Sequence, residues 1–268
     1  MNKIKNFFLS LYFAFSFLTI LPLPFNKKIR LNDEIISFNP FFYPLVGLFY
    51  GIISFYLAKL FIYLNIDFNL TTLIIIIFQY GLNKFLHFDG LCDLLDAFLA
   101  DKTKEERLVI LKDSRIGSFA LGGAVLYLLL RFFIMRHFIL LNNLLPYLII
   151  IPVLSRFSMI FLSYRSRYPR KEGTGSFIIG KIKNVALIST ILLSFLIMTI
   201  FTLITANYIT AALMLLISFL FVIIFSLLFK LYSYKKIGGV TGDVLGALNE
   251  IIELSLPLLL IIIQYHIK

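Results

Sequence analysis

Residues Asn184–Phe229 read NVALISTILLSFLIMTIFTLITANYITAALMLLISFLFVIIFSLLF, 46 consecutive positions without an acidic or basic side chain. At about 1.5 Å per residue, one helix of this length would run about 69 Å, more than twice the ~30 Å hydrocarbon core of a bilayer. The stretch therefore reads as two membrane-crossing helices joined by a turn at Ala206-Asn207-Tyr208. Its polar residues are mostly Ser and Thr, whose hydroxyls can bond back to the helix backbone.

Outward from this stretch, the same test gives Phe41–Leu64, Leu70–Leu86, Leu121–Ile139, Tyr147–Tyr164 and Ile251–Tyr265 as further spans, about seven in all. Phe7–Leu21, at 15 residues, is short and is expected to lie in the interface or re-enter. Lys3 and Lys5 before it give a superficial likeness to a signal peptide, but Leu21-Pro22-Leu23-Pro24 offers no small-residue cleavage site, so the segment is expected to stay in the mature chain. Composition agrees: of 268 residues 60% are apolar and 15% charged, with 30 Phe and no Trp, against about 25% charged in a soluble domain. The fold class that follows is an all-α polytopic membrane protein, about seven transmembrane helices plus a short N-terminal interfacial or re-entrant helix, in one domain over residues 1–268. An outer-membrane barrel would show short alternating strands instead.

The net charge of +11 could suit a nucleic-acid binder, but so apolar a chain has too little polar surface, and no nucleic-acid partner is expected. The charge sorts by loop. Segments 27–37, 83–118, 165–183 and 230–249 carry 3, 6, 6 and 3 Lys plus Arg, while 65–69, 141–146 and 206–210 carry none. That places the four charged loops in the cytoplasm of a multi-pass inner-membrane protein; Lys59 and Arg136, nearer the outer ends, count mildly against it. Twelve of the 14 acidic residues lie in or beside the same loops, leaving Asp67 and Glu253 elsewhere. The lone Cys92 excludes an internal disulfide and a thiolate metal site.

His87-Phe88-Asp89-Gly90-Leu91-Cys92-Asp93-Leu94-Leu95-Asp96-Ala97-Phe98 follows directly on a span. On a helix, Asp89, Asp93 and Asp96 fall within about 60° of one another. Three like charges repel and are costly to desolvate near lipid, a balance that a divalent cation reverses. Hard oxygen ligands suit Mg²⁺, which binds through one or two carboxylates plus substrate phosphates. The alternatives are a solvated acidic helix end neutralised by Lys84, Lys102, Lys104 and Arg107, or an ion path. His87, on roughly the opposite face, is read either as a structural hydrogen-bonding group or as a proton-transfer or substrate contact. Asp101, Glu105 and Glu106 alternate with cations and read as ordinary surface.

In Lys112-Asp113-Ser114-Arg115-Ile116-Gly117-Ser118, Lys112 and Arg115 could meet one phosphate while Gly117 permits close backbone approach and Ser114 or Ser118 caps the next helix. A plain positive membrane anchor is the other reading. In Gly238-Gly239-Val240-Thr241-Gly242-Asp243-Val244-Leu245-Gly246-Ala247-Leu248-Asn249-Glu250, a helix beginning near Thr241 puts Asp243, Gly246 and Glu250 on one face. Asp243 and Glu250 could complete a metal site or orient a nucleophile; otherwise the glycines serve packing and the acids only cap a loop. Arg131 and Arg156 lie mid-span, where an arginine costs roughly 2.5–3.5 kcal/mol to insert, so each is expected to face an acidic or phosphate partner. Arg165, Arg167, Arg170 and Lys171 could hold a polyanion or only set topology.

Acids in two cytoplasmic loops beside Arg, Lys and Gly suit a Mg²⁺-bridged diphosphate. No P-loop, GxSxG elbow or HExxH motif is present. An ion-coupled transporter is the rival, but the acids cluster at the membrane boundary and no inverted repeat is evident.

The blocks His87–Asp96, Lys112–Gly117 and Gly238–Ala247 with Glu250, together with Phe17–Pro24 and Phe42–Gly47, resemble the cobalamin synthase (adenosylcobinamide-GDP ribazoletransferase) family in order across nearly the whole chain. Ala97 departs from it, standing where the family usually has Gly. The resemblance implies that adenosylcobinamide-GDP is joined to α-ribazole or its 5'-phosphate with release of GMP, in the membrane and with Mg²⁺, alongside other enzymes of nucleotide-loop assembly as partners. It implies Asp89, Asp93 and Asp96 as metal ligands, with Asp243 and Glu250 adding a ligand or orienting the hydroxyl; with His87 these two are the catalytic candidates. Lys112, Arg115, Arg156, Arg170 and Lys171 are the candidate phosphate-binding residues. A CDP-alcohol-type headgroup phosphotransferase is the nearest enzymatic alternative; its Asp-Gly block continues with Ala-Arg and more widely spaced acids, absent here.

Overall fold

A computed structural model describes residues 3–21, 33–141, 144–173, 175–204 and 208–266, and among these the regular structure is all helical. The helices are α1 (Lys3–Leu18), α2 (Asp33–Phe38), α3 (Tyr43–Tyr63), α4 (Phe68–Leu82), α5 (Leu86–Leu99), α6 (Lys104–Ile110), α7 (Ser118–Leu140), α8 (Ile150–Ser163), α9 (Asn184–Leu203), α10 (Tyr208–Ile237) and α11 (Gly242–His266). Short 3₁₀ turns at Asn39–Phe42 and Leu145–Leu148 lead into α3 and α8. Six segments are long and apolar enough to cross a bilayer, and the bent pair α4–α5 makes a seventh candidate. The protein is an all-α polytopic membrane protein. Pro22–Pro24, Lys27, Lys28, Arg30, Thr174, Ala206, Asn207 and Lys268 lie outside the described residues.

The uncharged stretch forms α9 and α10, and its hydroxyls turn inward along their own helices. Thr190 and Ser194 donate to the carbonyls of Ala186 and Thr190, and Ser218 and Ser226 to those of Met214 and Val222. Each hydroxyl proton is thereby satisfied without water. The outward faces of α7, α9 and α10 carry exposed Leu, Ile, Val and Phe, such as Leu126, Phe133, Leu192, Ile200, Leu220 and Leu228, the surface a lipid-facing helix requires. α8 sits at the centre, every residue from Ile150 to Ser163 buried except Phe161. α3 reaches it closely because Gly47 and Gly51, four apart, present no side chain: a Cβ there would lie 2.2 Å from the Pro152 oxygen and 2.4 Å from the Ile149 oxygen.

The expected span Leu70–Leu86 departs from the structure at its end. α4 stops at Leu82, and α5 leaves at 89° to it. The turn places Lys84 (φ 54°) and Phe85 (φ 57°) in the left-handed region, which costs an L residue about 1–2 kcal/mol. Stacking of the Phe85 ring on Tyr80, centroids 5.2 Å apart and 10° from parallel, and the Phe85 N–H bond to the Tyr80 carbonyl at 3.0 Å offset that strain. α5 is therefore no straight continuation of α4 but turns at a right angle to it across the end of the bundle.

The charged loops meet at this same end. Lys236 Nζ donates to the Phe98 carbonyl at 2.7 Å, Lys230 Nζ to Tyr164 at 3.0 Å, and the Val240 N–H to Arg167 at 2.9 Å. Segments 83–118, 165–183 and 230–249 are thus tied together, while Arg136 bonds Asn69 and Tyr265 meets His137 at the opposite end.

Candidate active site at the charged end of the bundle

Two glycines bring α5 onto the first turns of α11. A Cβ on Gly90 would lie 2.8 Å from the Asp243 carbonyl oxygen, and one on Gly246 would lie 3.2 Å from the Cα and carbonyl oxygen of His87. Backbone meets backbone there, so the acids of two distant stretches share one surface. Gly239 packs likewise under Arg167, where a Cβ would stand 2.3 Å from the carbonyl oxygen, and Gly238 supplies a left-handed turn at φ 75°.

Two cavities flank this crossing, and Asp89 lines both. The first, about 210 Å³, is walled by Phe17, Tyr43, His87, Phe177 and Met159 and reaches Asp243. The second, about 360 Å³, is lined by Cys92, Asp93, Asp96, Lys112, Ser114 and Arg115. Lys112 also borders a shallow cleft with Arg170 and Lys171. The structure therefore brings Asp89, Asp93, Asp96, Asp243, His87, Lys112, Arg115, Arg170 and Lys171 to one end of the bundle.

Their states differ. Burial, then the carboxylates of Asp89 and Asp243, push the Asp93 acid up to about 7, so without a cation the cluster tends to hold a proton. Asp96 is already engaged: its oxygens accept the N–H groups of Gly117 at 2.7 Å and Ala120 at 2.9 Å, capping α7 from a neighbouring helix. The anion at that helix end is thus Asp96 itself, and neither Ser114 nor Ser118 provides a cap; Gly117 approaches closely because its missing Cβ would strike the Asp96 carboxylate at 2.5 Å. Asp243 accepts from Thr241 Oγ1 at 3.1 Å and pairs with Arg170 Nη1 at 3.4 Å. Arg115, largely solvated, is held by Asp113 through a 2.9 Å Nε bond. His87 is buried, with neither ring nitrogen hydrogen-bonded; desolvation and the Arg156 charge push its pKa down to about 3, so the imidazole is neutral.

Glu250 and Arg156 stand elsewhere. Seven residues beyond Asp243, Glu250 shares its face but lies about 10 Å deeper along the axis. It is 1% exposed and accepts from Arg131 at 3.0 Å, Tyr127 at 2.6 Å and Tyr80 at 3.0 Å. Glu253, one turn on, bridges Arg131 Nη2 at 2.7 Å and Arg156. Gln79 accepts from Arg131 at 2.8 Å, and the Arg156 guanidinium lies 4.5 Å over the Tyr50 ring. Two arginines and two glutamates balance to zero inside the membrane, which corrects the placement of Arg156 beside a phosphate and of Glu250 beside Asp243 in an open site. The mid-span arginines did signal acidic partners. Tyr80, Tyr127, Gln79 and the pivotal Glu253 were missed, although a carboxylate in the last span facing two intramembrane arginines was the available clue.

Among the described residues, no three His, Cys, Asp or Glu side chains converge closely enough to enclose a metal ion on their own. The donor set nonetheless fits a Mg²⁺ completed by substrate: Asp89 and Asp93 are hard carboxylates in one another's field, Asp243 stands across the helix crossing, and an ion of this kind takes its remaining oxygens from phosphate and water.

Residues 10–261 match the profile of the family described as cobalamin-5-phosphate synthase. The chain is 34% identical over 241 residues to the adenosylcobinamide-GDP ribazoletransferase of Clostridioides difficile (strain 630), covering 89% of this chain and 91% of that one. It is 31% identical over 270 residues to the protein of the same name from Clostridium tetani (strain Massachusetts / E88), covering 99% of each. The protein of that name from Thermodesulfovibrio yellowstonii is 33% identical over 247 residues, covering 90% and 91%. No solved structure matches the chain.

Proposed function

This chain belongs to the cobalamin-5-phosphate synthase family, and from that premise we propose how its charged end carries out the ribazole transfer for which its relatives are named. The enzyme joins adenosylcobinamide-GDP to α-ribazole and releases GMP. A ribose hydroxyl attacks the phosphorus that bears cobinamide, a new P–O bond forms, the bridging P–O bond breaks, and GMP departs with its electron pair. Asp89 and Asp93 would hold a Mg²⁺, which when bound would supply charge neutralisation on the diphosphate. Asp243, kept in place by Thr241 and Arg170, orients the attacking hydroxyl or accepts its proton. Lys112, Arg170 and Lys171 balance the phosphate charge, with Arg115 able to join them by leaving its exposed pairing with Asp113. Asp96 holds the α7 end against α5 and so fixes the helix that carries the other acids. The acceptor is α-ribazole or its 5'-phosphate.

The observation that carries this reading is the glycine-to-backbone crossing of α5 and α11, which sets Asp89 and Asp243 on the wall of one cavity. The charged end faces the cytoplasm of an inner-membrane protein, supported by the Lys and Arg of loops 83–118, 165–183 and 230–249. Purified chain in detergent with adenosylcobinamide-GDP, α-ribazole and Mg²⁺ should release GMP, and Asp93→Asn should remove turnover without unfolding the protein. GMP release no greater than a metal-free blank would end the assignment.

A further inference from the structure

The two cavities on either side of Asp89 differ in chemistry, and phosphoryl transfer needs the attacking and leaving oxygens on opposite sides of phosphorus. The first is walled by aromatic rings, Phe17 and Phe177 meeting edge-to-face with centroids 5.2 Å apart and Tyr43 also lining it. Within that wall sits His87, whose two buried ring nitrogens have no partner; a ligand with a ring nitrogen or hydroxyl would satisfy one, whereas an empty apolar wall would leave both unpaid. Its volume of about 210 Å³ is on the scale of a planar bicyclic base and far short of a corrinoid macrocycle. The second cavity is also bordered by Phe85 and Phe88, but it adds what the first lacks, the cations Lys112 and Arg115 together with Asp93, Asp96 and Ser114, the surroundings of a metal-bound diphosphate rather than of a neutral base.

We propose that the Phe17–Tyr43–His87–Phe177 cavity is the subsite for the aromatic base of the acceptor nucleoside, and that the Cys92–Lys112–Arg115 cavity receives the nucleoside diphosphate of the donor. The acceptor hydroxyl then approaches past Asp89 and Asp243 from one side, and the nucleotide leaves toward Lys112 on the other. Phe177 is a specificity-determining residue in this arrangement, stacking on or edging the base, and His87 hydrogen-bonds it. The inference rests on the ribazole transfer proposed above and goes further by assigning each substrate its own wall.

Cys92, the chain's single cysteine, lines the second cavity and is partly exposed there. It therefore reports occupancy of that cavity in the unaltered protein. With full-length enzyme in detergent, GDP plus Mg²⁺ should slow alkylation of Cys92 at least tenfold, while α-ribazole at saturation should change it less than twofold. In steady-state assays Phe177→Ala should raise the KM for α-ribazole about tenfold, the loss expected for one base–aromatic contact, and leave the KM for adenosylcobinamide-GDP within about twofold; Phe177→Leu serves where the alanine variant does not fold. Protection of Cys92 by α-ribazole equal to that by GDP, or a Phe177 defect confined to adenosylcobinamide-GDP, would overturn the subsite assignment while leaving transfer itself intact. Absence of GMP release by the wild-type chain would instead remove the transfer reading and this inference with it.

Discussion

Glu253→Gln is expected to be among the most destabilising single changes in the spans. Glu253 touches both intramembrane arginines, Arg131 at 2.7 Å and Arg156 through its other oxygen, and all three side chains are at least nine-tenths buried. Removing its charge leaves two guanidiniums facing Glu250 alone, a net +1 in a region without water. Breaking a buried ion pair from one side costs about 3–5 kcal/mol. Arg156→Met strands charge of the opposite sign and should cost about as much. The double variant Glu253→Gln/Arg156→Met returns the network to neutrality and leaves the 3.0 Å Arg131–Glu250 pair in place, so its cost should fall at least about 2 kcal/mol short of the sum of the singles, within the coupling seen for residues in contact. Titration of dodecylmaltoside micelles with SDS, following helix loss by circular dichroism, measures all three. Additive losses in the double variant would refute the charge-balanced network.

Three further outcomes follow from the charged end. Because Asp93 has its pKa raised to about 7, above the ordinary ~3.9 of an Asp, its favourable contribution in metal-free protein is complete at low pH and lost as pH rises through about 7; Mg²⁺ should thus raise the melting temperature more at pH 8 than at pH 6, and Asp93→Asn should flatten that difference. Asp96→Ala removes two bonds to the start of α7 and should cost about 1 kcal/mol, whereas Asp96→Asn keeps one acceptor oxygen and turns an NH2 toward the other N–H, so it should recover only part of that loss, with turnover falling alongside stability rather than vanishing; thermal melts and GMP release read both. Gly90→Ala should abolish turnover, its Cβ lying 2.8 Å from the Asp243 carbonyl, while Gly81→Ala and Gly122→Ala, with open space at that position, should stay active and gain up to about 1 kcal/mol.

The spans were legible because lipid demands long uncharged runs, and the Asp89–Asp93–Asp96 face because helical period alone defines it. The turn at Asn83-Lys84-Phe85 was not, since it contains neither Gly nor Pro and is held by stacking of Phe85 on Tyr80, a tertiary contact. Capping by Asp96 was hidden for the same reason: its partner Gly117 lies 21 residues downstream. Glu250 shows a different failure. Periodicity reports direction around a helix and nothing of depth along it, so two acids on one face of α11 belong to different environments.

That difference in depth gives α11 two jobs. Glycine contacts at Gly90 and Gly246 let α5 and α11 approach, but a smooth backbone-to-backbone crossing leaves the helices able to slide along their axes. The directional bonds deeper in the bundle remove that freedom: Glu250, two turns below Asp243, is gripped by Arg131 of α7, and Glu253, three turns below, by Arg131 and by Arg156 of α8. A shift of α11 by even 1 Å would break hydrogen bonds that have no water to replace them. The buried network therefore sets the register of Asp243 against Asp89, and a reaction that needs its oxygens in line requires that register. On this reasoning Glu253→Gln should lower kcat in the fraction that stays folded, with the KM for α-ribazole nearly unchanged, although Glu253 touches no substrate.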